Sequence, residues 1–536
     1  MGDGRQKNAL ISVFDKTGVV EFARKLVALN FNIYSSGGTA KKLASESVPV
    51  TDVSELVGGD AILGHRVVTL SREIHAGLLA RVDVPEDMEE LAELGIPFLD
   101  LVYCNMYPLM EEIAKPEATL TSVIDQTDIG GPTMIRSAAK GRRLVVCDQA
   151  DQDGVIEYIE KDEEDLDYIQ YLIAKAEFMV SRYIFASAEY HGGDKYFATF
   201  GEKFLECKYG ENAYQSAGVY SSGSTDPLAL DKFISLSGNP LSSNNICDLD
   251  RLLNTATHLA AGYIANFSRG GIPYIAIAVK HGNPCGASYG SDKNRVLQDM
   301  VTGDTRAIFG GLVLTNFEID EEGAEILMNY ESGESVRLLD GIIAPSFSEK
   351  GFEILEKRAK TRLVVNESLE TNAIAVLDQN TRHRYVRGGN VVQSNYDYVI
   401  NIDETAEVSG SLSIMEKTSM ILAWAIGCTS NSNTVTLVHE DQLIGNGVGQ
   451  QDRVGCCELA IKRATDAGHE TDGAIAYSDS FFPFADGPEV LIEAGIMSIF
   501  ASSGSVRDDD VISLCKDMGV TLCMAPDKVC RGFFGH

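Results

Sequence analysis

The stretch Tyr274–Gly286, YIAIAVKHGNPCG, constrains this chain more than any other. Six apolar residues, Tyr274 to Val279, have the length and composition of a strand buried on both faces. At its C-terminal end stand a cation, Lys280, and a titratable base, His281, followed by a Gly-Asn-Pro turn. In open α/β sheets that end of a strand is where ligands bind. The same residues also suit a surface lysine and a capped histidine before a loop, so position alone leaves both readings open.

A chain of 536 residues is too long for one core, and two to four domains are expected. No apolar run approaches a membrane span, and the N-terminus shows no secretory pattern. The eleven cysteines are scattered, with no C-x-x-C pair, which fits reduced thiols in a cytoplasmic protein better than a disulfide framework. A net charge of −33 disfavours nucleic acid and anionic membranes as partners. An anionic small substrate would have to be caught by local lysines, arginines and helix N-termini.

In the N-terminal third, Ala9–Phe14 reads as a first strand and Phe31–Tyr34 as a second. The second runs into Ser35-Ser36-Gly37-Gly38-Thr39 and a helix. Strand, small residues, helix is the arrangement that presents free backbone N–H groups to a phosphate, although Ser-Gly-Gly also serves as a plain turn. Val48–Val53, Phe98–Cys104 and Leu144–Cys147 are further strands, and Asp128-Ile129-Gly130-Gly131-Pro132 opens another helix. The alternation implies a parallel α/β domain, closed by a helix from Tyr168 to about Tyr190, with a linker near Gly192-Gly193.

Downstream, a helix from Asp248 to Ile264 precedes the organising strand. Phe309–Leu314 and Leu339–Pro345 read as strands, and Met415–Ile426 as an apolar helix carrying Trp424. Thr434–His439 and Leu443–Gly449 form a hairpin about Glu440-Asp441. The glycines of that second arm lack G-x-G-x-x-G spacing, so dinucleotide binding is rejected. Ala474–Ser478 leads to SDSFFPFAD, whose phenylalanines suit a core or, beside two carboxylates, a flat heteroaromatic ring. The two strand-rich halves look alike only vaguely, and no internal repeat is claimed.

Nine motifs in collinear order, SVFDKTG, SSGGTAKKL, DIGGPTMIRSAAK, KYGEN, VKHGNPCG, FGGLV, DGIIAP, GVGQQDR and SDSFFPF, resemble the bifunctional AICAR transformylase and IMP cyclohydrolase family. The resemblance runs over essentially the whole chain. It implies an α/β protein: a methylglyoxal-synthase-like parallel-sheet domain over 1–195, then a transformylase region over 196–536. The latter would comprise two cytidine-deaminase-like α/β subdomains with a boundary near 370–410. It also implies a homodimer, a cytoplasmic location, 10-formyltetrahydrofolate as co-substrate and no catalytic metal. AICAR, formyl-AICAR and IMP would be the small-molecule partners, with no nucleic acid and no membrane.

Residue by residue, the resemblance makes His281 the base for the AICAR amine and Lys280 a stabiliser of charge in the tetrahedral intermediate, with Asn433 orienting the reacting groups. Lys208, Tyr209, Asn245, Gly310, Asp340 and Arg453 would hold the nucleotide. Phe481, Pro483, Asp486, Ser503 and Gly504 would contact the folate. In the first domain Ser12, Lys16, Ser36, Gly37, Gly38, Thr39, Arg66, Thr69 and Gly130 match nucleotide-binding positions, and Tyr107, Asp128 and Lys140 surround the closing ring.

Several positions depart from the pattern. Where R-V-K-T-L-H-P is expected, Val68 and Ser71 replace lysine and histidine, and Phe14 replaces a small serine. A valine can neither hold an oxyanion nor move a proton, so ring closure is expected to be altered, and a transformylase with a degenerate first domain stays open. A non-catalytic nucleotide-binding protein is a second alternative. Cys428 and Thr429 stand where lysine and histidine are expected, and the terminal R-H-F-R-H reads Gly532-Phe533-Phe534-Gly535-His536. A zinc deaminase is excluded, because Cys285 has neither an H-x-E partner nor a second cysteine at the required spacing.

Overall fold

The computed structural model describes residues 5–535 apart from 64–65, 162, 164, 268–270, 334 and 406. The chain divides into two compact units, Met1–Phe200 and Gly201–His536.

In the first unit the strands are β1 (Lys7–Val13), β2 (Phe31–Ser35), β3 (Thr51–Asp52), β4 (Leu101–Asn105) and β5 (Leu144–Val146). They form one parallel sheet in the order β3-β2-β1-β4-β5. The strand expected over Val48–Val53 shrinks to two residues, because Asp52 caps a helix at Val53–Val57 with its carboxylate on Ser54 N–H. Apolar clusters pack on both faces of the sheet, which is why β1 and β4 read as continuous apolar runs.

The second unit contains two small hairpins and a sheet of twelve strands. The hairpins are β6 (Glu202–Glu206) with β7 (Gly218–Ser221), and β14 (Thr381–Val386) with β15 (Gly389–Ser394). The large sheet takes β8 (Ile234–Ser237), β9 (Tyr274–Lys280), β10 (Asn283–Gly290), β11 (Leu312–Thr315), β12 (Gly341–Ala344) and β13 (Arg362–Val365) from one half. From the other it takes β16 (Glu407–Ser409), β17 (Val435–His439), β18 (Gln442–Gly447), β19 (Ile475–Ser478), β20 (Ser498–Ser503) and β21 (Thr521–Pro526). Their order is β16-β21-β20-β19-β17-β18-β10-β9-β11-β12-β13-β8.

That order is a repeat. Each half has a hairpin, then three mutually parallel strands running against one arm of it, then an antiparallel outer strand. The equivalence extends to single hydrogen bonds. Asn316 N–H donates to Ile275 O and its Oδ1 accepts from Ile275 N, while Asp479 N–H donates to Thr434 O and its Oδ2 accepts from Thr434 N. From the sequence the halves look alike only vaguely and no repeat is claimed; topology and bonding are duplicated although the side chains have diverged. The two halves meet where β10 runs antiparallel to β18, with Ser288 opposite Gln442.

The organising strand is buried from Ile275 to Val279, as its composition requires. It runs antiparallel to both neighbours, and the turn that follows is His281-Gly282 rather than Gly-Asn-Pro. Both turn residues have positive φ, 52° and 74°, the conformation that lets a two-residue loop match the twist of a hairpin. Asn283 and Pro284 already belong to β10. The helix ahead of it spans Ser243–Asn266 and begins earlier than expected, because Ser242 and Asn245 form a capping box.

This helix buries His258, which is 3% exposed and lies against Tyr396 and Trp424 at ring distances of 5.5 and 5.6 Å. Its Nδ1 is 2.7 Å from Asn254 O, which can only accept, so that nitrogen carries the proton of a neutral ring. Burial lowers its pKa from 6.5 to about 4. As pH falls below 6.5 the unfolded chain gains the proton first, so stability present above 6.5 is lost as pH falls toward 4, by about 3 kcal/mol in all. Denaturant titrations between pH 7 and 4.5 should show a shallower loss for His258→Phe, which keeps the ring packing, than for the wild type; parallel curves would refute this.

Candidate active site

The registers place the ends of the twelve strands on two rims. One rim carries the C-terminal ends of β8, β9, β18, β19, β20 and β21 and the N-terminal ends of β10, β11, β12, β13, β16 and β17. Nearly every residue expected in the transformylase site stands on this rim. The first half contributes the starts of its parallel strands, not their ends, contrary to the rule that drew attention to the organising strand.

At the centre, Lys280 ends β9 and its Nζ donates to Phe309 O at 2.5 Å, beside Gly310. A Cβ added to Gly310, whose φ is 75°, would stand 4.0 Å from that ammonium. Asp340 precedes β12, half exposed, with its N–H on Gly311 O at 2.9 Å and Arg362 Nη1 3.9 Å from its carboxylate. His281 is exposed at the hairpin turn. The turn is held from below by Asp248, 7% exposed, whose Oδ1 accepts Gly282 N–H at 2.6 Å. Burial raises the Asp248 pKa, against the hydrogen bonds of the turn and the nearby imidazole. Asn283 Nδ2 donates to His281 O at 3.1 Å and its Oδ1 accepts Asn431 N–H at 3.0 Å, tying the turn to the loop before β17. A cavity of about 330 Å³ opens between Lys280 and His281 and runs along the β10–β18 seam past Cys285, Asn446 and Arg463, within the size range of small-ligand pockets. Burial pushes the Cys285 thiol up to about 12, so it is no nucleophile.

Asn433 lies across the seam from His281. Its Nδ2 donates to Gln450 O at 2.9 Å and its Oδ1 accepts from Arg453 Nη2 at 3.0 Å. Arg453, expected to hold substrate, is 9% exposed, and its guanidinium is committed to Asp479 and Asn433. Asp479 is 1% exposed; burial raises its pKa and the Arg453 charge opposes that. Arg453 thus aims Asn433. Asn245, likewise expected in the pocket, is 4% exposed and spends its Oδ1 on Ser242 N–H and Oγ–H at 3.0 and 2.8 Å, which makes it a helix cap. Lys208 is exposed and Tyr209 half-buried, with Tyr209 O accepting Ser243 N–H at 3.0 Å.

The phenylalanines after β19 divide: Phe482 is core, Phe481 half-buried and Phe484 exposed. Phe481, Pro483 and Asp486 follow β19, while Ser503 ends β20, its parallel neighbour, and Gly504 follows it, so these residues share one stretch of the rim. Gly504 has φ 129°, and its N–H is taken by Asp508 at 2.7 Å.

In the first unit the expected residues gather at the C-terminal ends of β1, β2 and β4. Ser12 Oγ lies 3.5 Å from Ser36 Oγ at the start of the helix Gly37–Ser45. Lys16 reaches over Gly38, at 3.7 Å from a Cβ added there. Thr39 is buried and bonds Val13 O at 3.0 Å, so its hydroxyl serves the fold. Asp128 sits before the helix Gly130–Lys140, with Oδ1 on Gly131 N–H at 2.9 Å; burial raises its pKa, against three backbone N–H groups. A Cβ on Gly130 would lie 2.9 Å from Thr69 Oγ1, and Arg66 pairs with Asp125 at 3.3 Å. Tyr107 is 42% exposed, with Phe14 packed on it at 5.3 Å between ring centres. Lys140 does not join Asp128: it ends the same helix, about 15 Å along the axis.

The comparisons with known proteins agree on the class. The AICARFT/IMPCHase bienzyme family matches over 138–463, and an MGS-like domain over 18–133. The "Bifunctional purine biosynthesis protein PurH" of Staphylococcus carnosus (strain TM300) is 35% identical over 522 residues, covering 97% of this chain and 98% of that protein. The chain belongs to the AICARFT/IMPCHase bienzyme family. Among solved structures, "Crystal structure of ForH" is 30% identical, covers 35% of this chain and all of its own, and has a TM-score of 0.32.

Within this bienzyme member, Val68 and Ser71 have local structural roles. Val68 packs on the apolar cluster beneath β4, and the Ser71 hydroxyl caps the helix Arg72–Leu79 on Ile74 N–H at 3.2 Å. Among the described residues, no group of three or more His, Cys, Asp or Glu could hold a metal ion. Asp248 and Asn283 escaped the sequence reading. The signal for Asp248 was a carboxylate on the buried face of an apolar helix; Asn283 gave none.

The Arg453–Asp479 pair generates a stability prediction. Arg453→Met strands a buried carboxylate and should cost about 3–5 kcal/mol. Adding Asp479→Asn should recover much of that loss in chemical denaturation, and simple additivity would count against the pair.

Proposed function

We propose that the rim around Lys280, His281 and Asn433 transfers a formyl group from 10-formyltetrahydrofolate to AICAR, the first of the two steps carried by this bifunctional purine-biosynthesis family. The observation that carries the assignment is the exposed His281, on a turn whose backbone Asp248 and Asn283 hold, lining one cavity with Lys280. The AICAR amine attacks the formyl carbon while its proton passes to His281. Lys280 stabilises the oxyanion of the tetrahedral intermediate. The bond from carbon to the folate nitrogen then breaks, that nitrogen takes up a proton, and tetrahydrofolate leaves. Asn433, locked by Arg453 and Gln450, orients the reacting groups. Phe481, Asp486, Ser503 and Gly504 form the folate wall of the rim.

Ring closure of formyl-AICAR to IMP, with loss of water, belongs to the first unit. Ser36, Gly37, Gly38 and Lys16 anchor the phosphate, and Asp128 and Tyr107 face the closing ring. Lys140 stands too far from Asp128 to act there within one chain, so a role for it requires a second copy. The hairpin β14–β15 exposes Tyr385, Val386, Val391 and Val392 among polar residues, surface suited to a second copy, and the active form is a homodimer. The location is the cytoplasm; no described helix is long and apolar enough to cross a membrane.

A spectral assay that follows formyl transfer and ring closure separately tests both halves. His281→Ala should lower formyl transfer by about two to four orders of magnitude with little change in nucleotide affinity; unchanged turnover would refute the base. The packing of Val68 favours a second reading, in which formyl-AICAR accumulates and IMP does not form. In that case Val68→Lys should raise IMP formation, whereas efficient IMP production by the wild type removes the reading.

A further inference from the structure

The most unusual charged group in the second unit is Arg251, on the helix Ser243–Asn266. It is 7% exposed, and its Nη1 is buried without a hydrogen-bond partner. The centre of its guanidinium lies 3.5 Å from the ring centroid of Phe534, and that of Arg382 lies 3.9 Å from the same centroid. At such distances a cation must stand over a ring face. Two guanidiniums cannot share one face, so Phe534 is sandwiched between them.

This sandwich borders the site. A Cβ on Gly282 would stand 3.9 Å from Arg251 Nη2. Phe534 bridges to Asn431, and its carbonyl accepts Ser432 N–H at 3.1 Å, so its segment lies along the loop that carries Asn433. The cluster therefore sits between the His281-Gly282 turn and Asn433. The acidic groups near Arg251 are Asp248, whose carboxylate is spent on the turn, and Asp250.

Asp250 is the carboxylate whose charge acts on both Arg251 and Arg382, but it forms an ion pair with neither, and a buried guanidinium with an unbonded N–H group is costly and is retained where an anion arrives. Cys428 and Gly532 border this cation, and they touch: a Cβ on Gly532 would come 2.7 Å from that of Cys428. Neither position carries a charge, and the buried cation acting on Cys428 is Arg251.

We propose that Arg251 and Arg382 form the subsite for the phosphate monoester of the nucleotide substrate, with Phe534 as the neutral placeholder between them. The inference rests on the transformylase reading of the same rim. The π-face of Phe534 offsets part of the two positive charges. The dianionic phosphate replaces it when the C-terminal segment shifts, accepting from both guanidinium forks.

Calorimetry on the full-length protein with AICAR and with its dephosphorylated nucleoside tests this. Arg251→Met keeps the volume of the site and removes the charge; Arg382→Met does the same at a half-buried position on β14, so it reports even if the first variant fails to fold. Each should weaken AICAR binding by about 10- to 100-fold and leave nucleoside binding within about twofold. A nucleotide-to-nucleoside preference unchanged in the folded variants would overturn the subsite. Wild-type protein that binds neither compound would instead overturn the transformylase reading.

Discussion

The antiparallel seam between β10 and β18 is the constraint on which the second unit depends. One backbone register, Ser288 opposite Gln442, is reinforced by side chains: Asn446 donates to Pro284 O and Ser430 Oγ at 3.1 Å and accepts from Thr436 at 2.9 Å. Joining two equivalent half-sheets in opposite directions puts the start of one half's parallel strands on the same rim as the end of the other's. Lys280 and His281 from one half thereby face Asn433, Phe481 and Ser503 from the other. A parallel junction would have set them on opposite rims.

The repeat also shows where the two halves differ. In both halves the sixth residue of the preceding helix holds the hairpin turn: Asp248 binds Gly282 N–H, and Ser419 binds Glu440 O. The first turn presents an imidazole and has its backbone held by a carboxylate; the second presents two acids and has its backbone held by a hydroxyl. The strand-end residues diverged too. Asn316 is neutral and keeps only its backbone-like bonds, whereas Asp479 adds an ion pair with Arg453 and, through it, fixes Asn433. The backbone device is common to both halves, and the side chains decide where it acts.

Much of this was legible because it is local. Apolar runs marked β1, β4, β9 and β19, and the Glu440-Asp441 hairpin followed from a polar pair between apolar arms. The roles of Asn245, Thr39 and Arg453 were not legible. An asparagine in a capping box, a threonine bonded to a neighbouring strand and an arginine turned inward have the same letters as their ligand-binding counterparts. Their hydrogen-bond partners lie from three residues to more than twenty away, and only the folded chain says whether those partners are present.

The sequence by itself determined the strands, the small-residue turns and the chemistry available at each, since these follow from periodicity and from side-chain type. Only the tertiary structure decided which rim collects them and which carboxylate holds the His281 turn. The physical reason is that strand pairing and its register set distances between residues far apart in the chain, and neither is written in any single stretch of it.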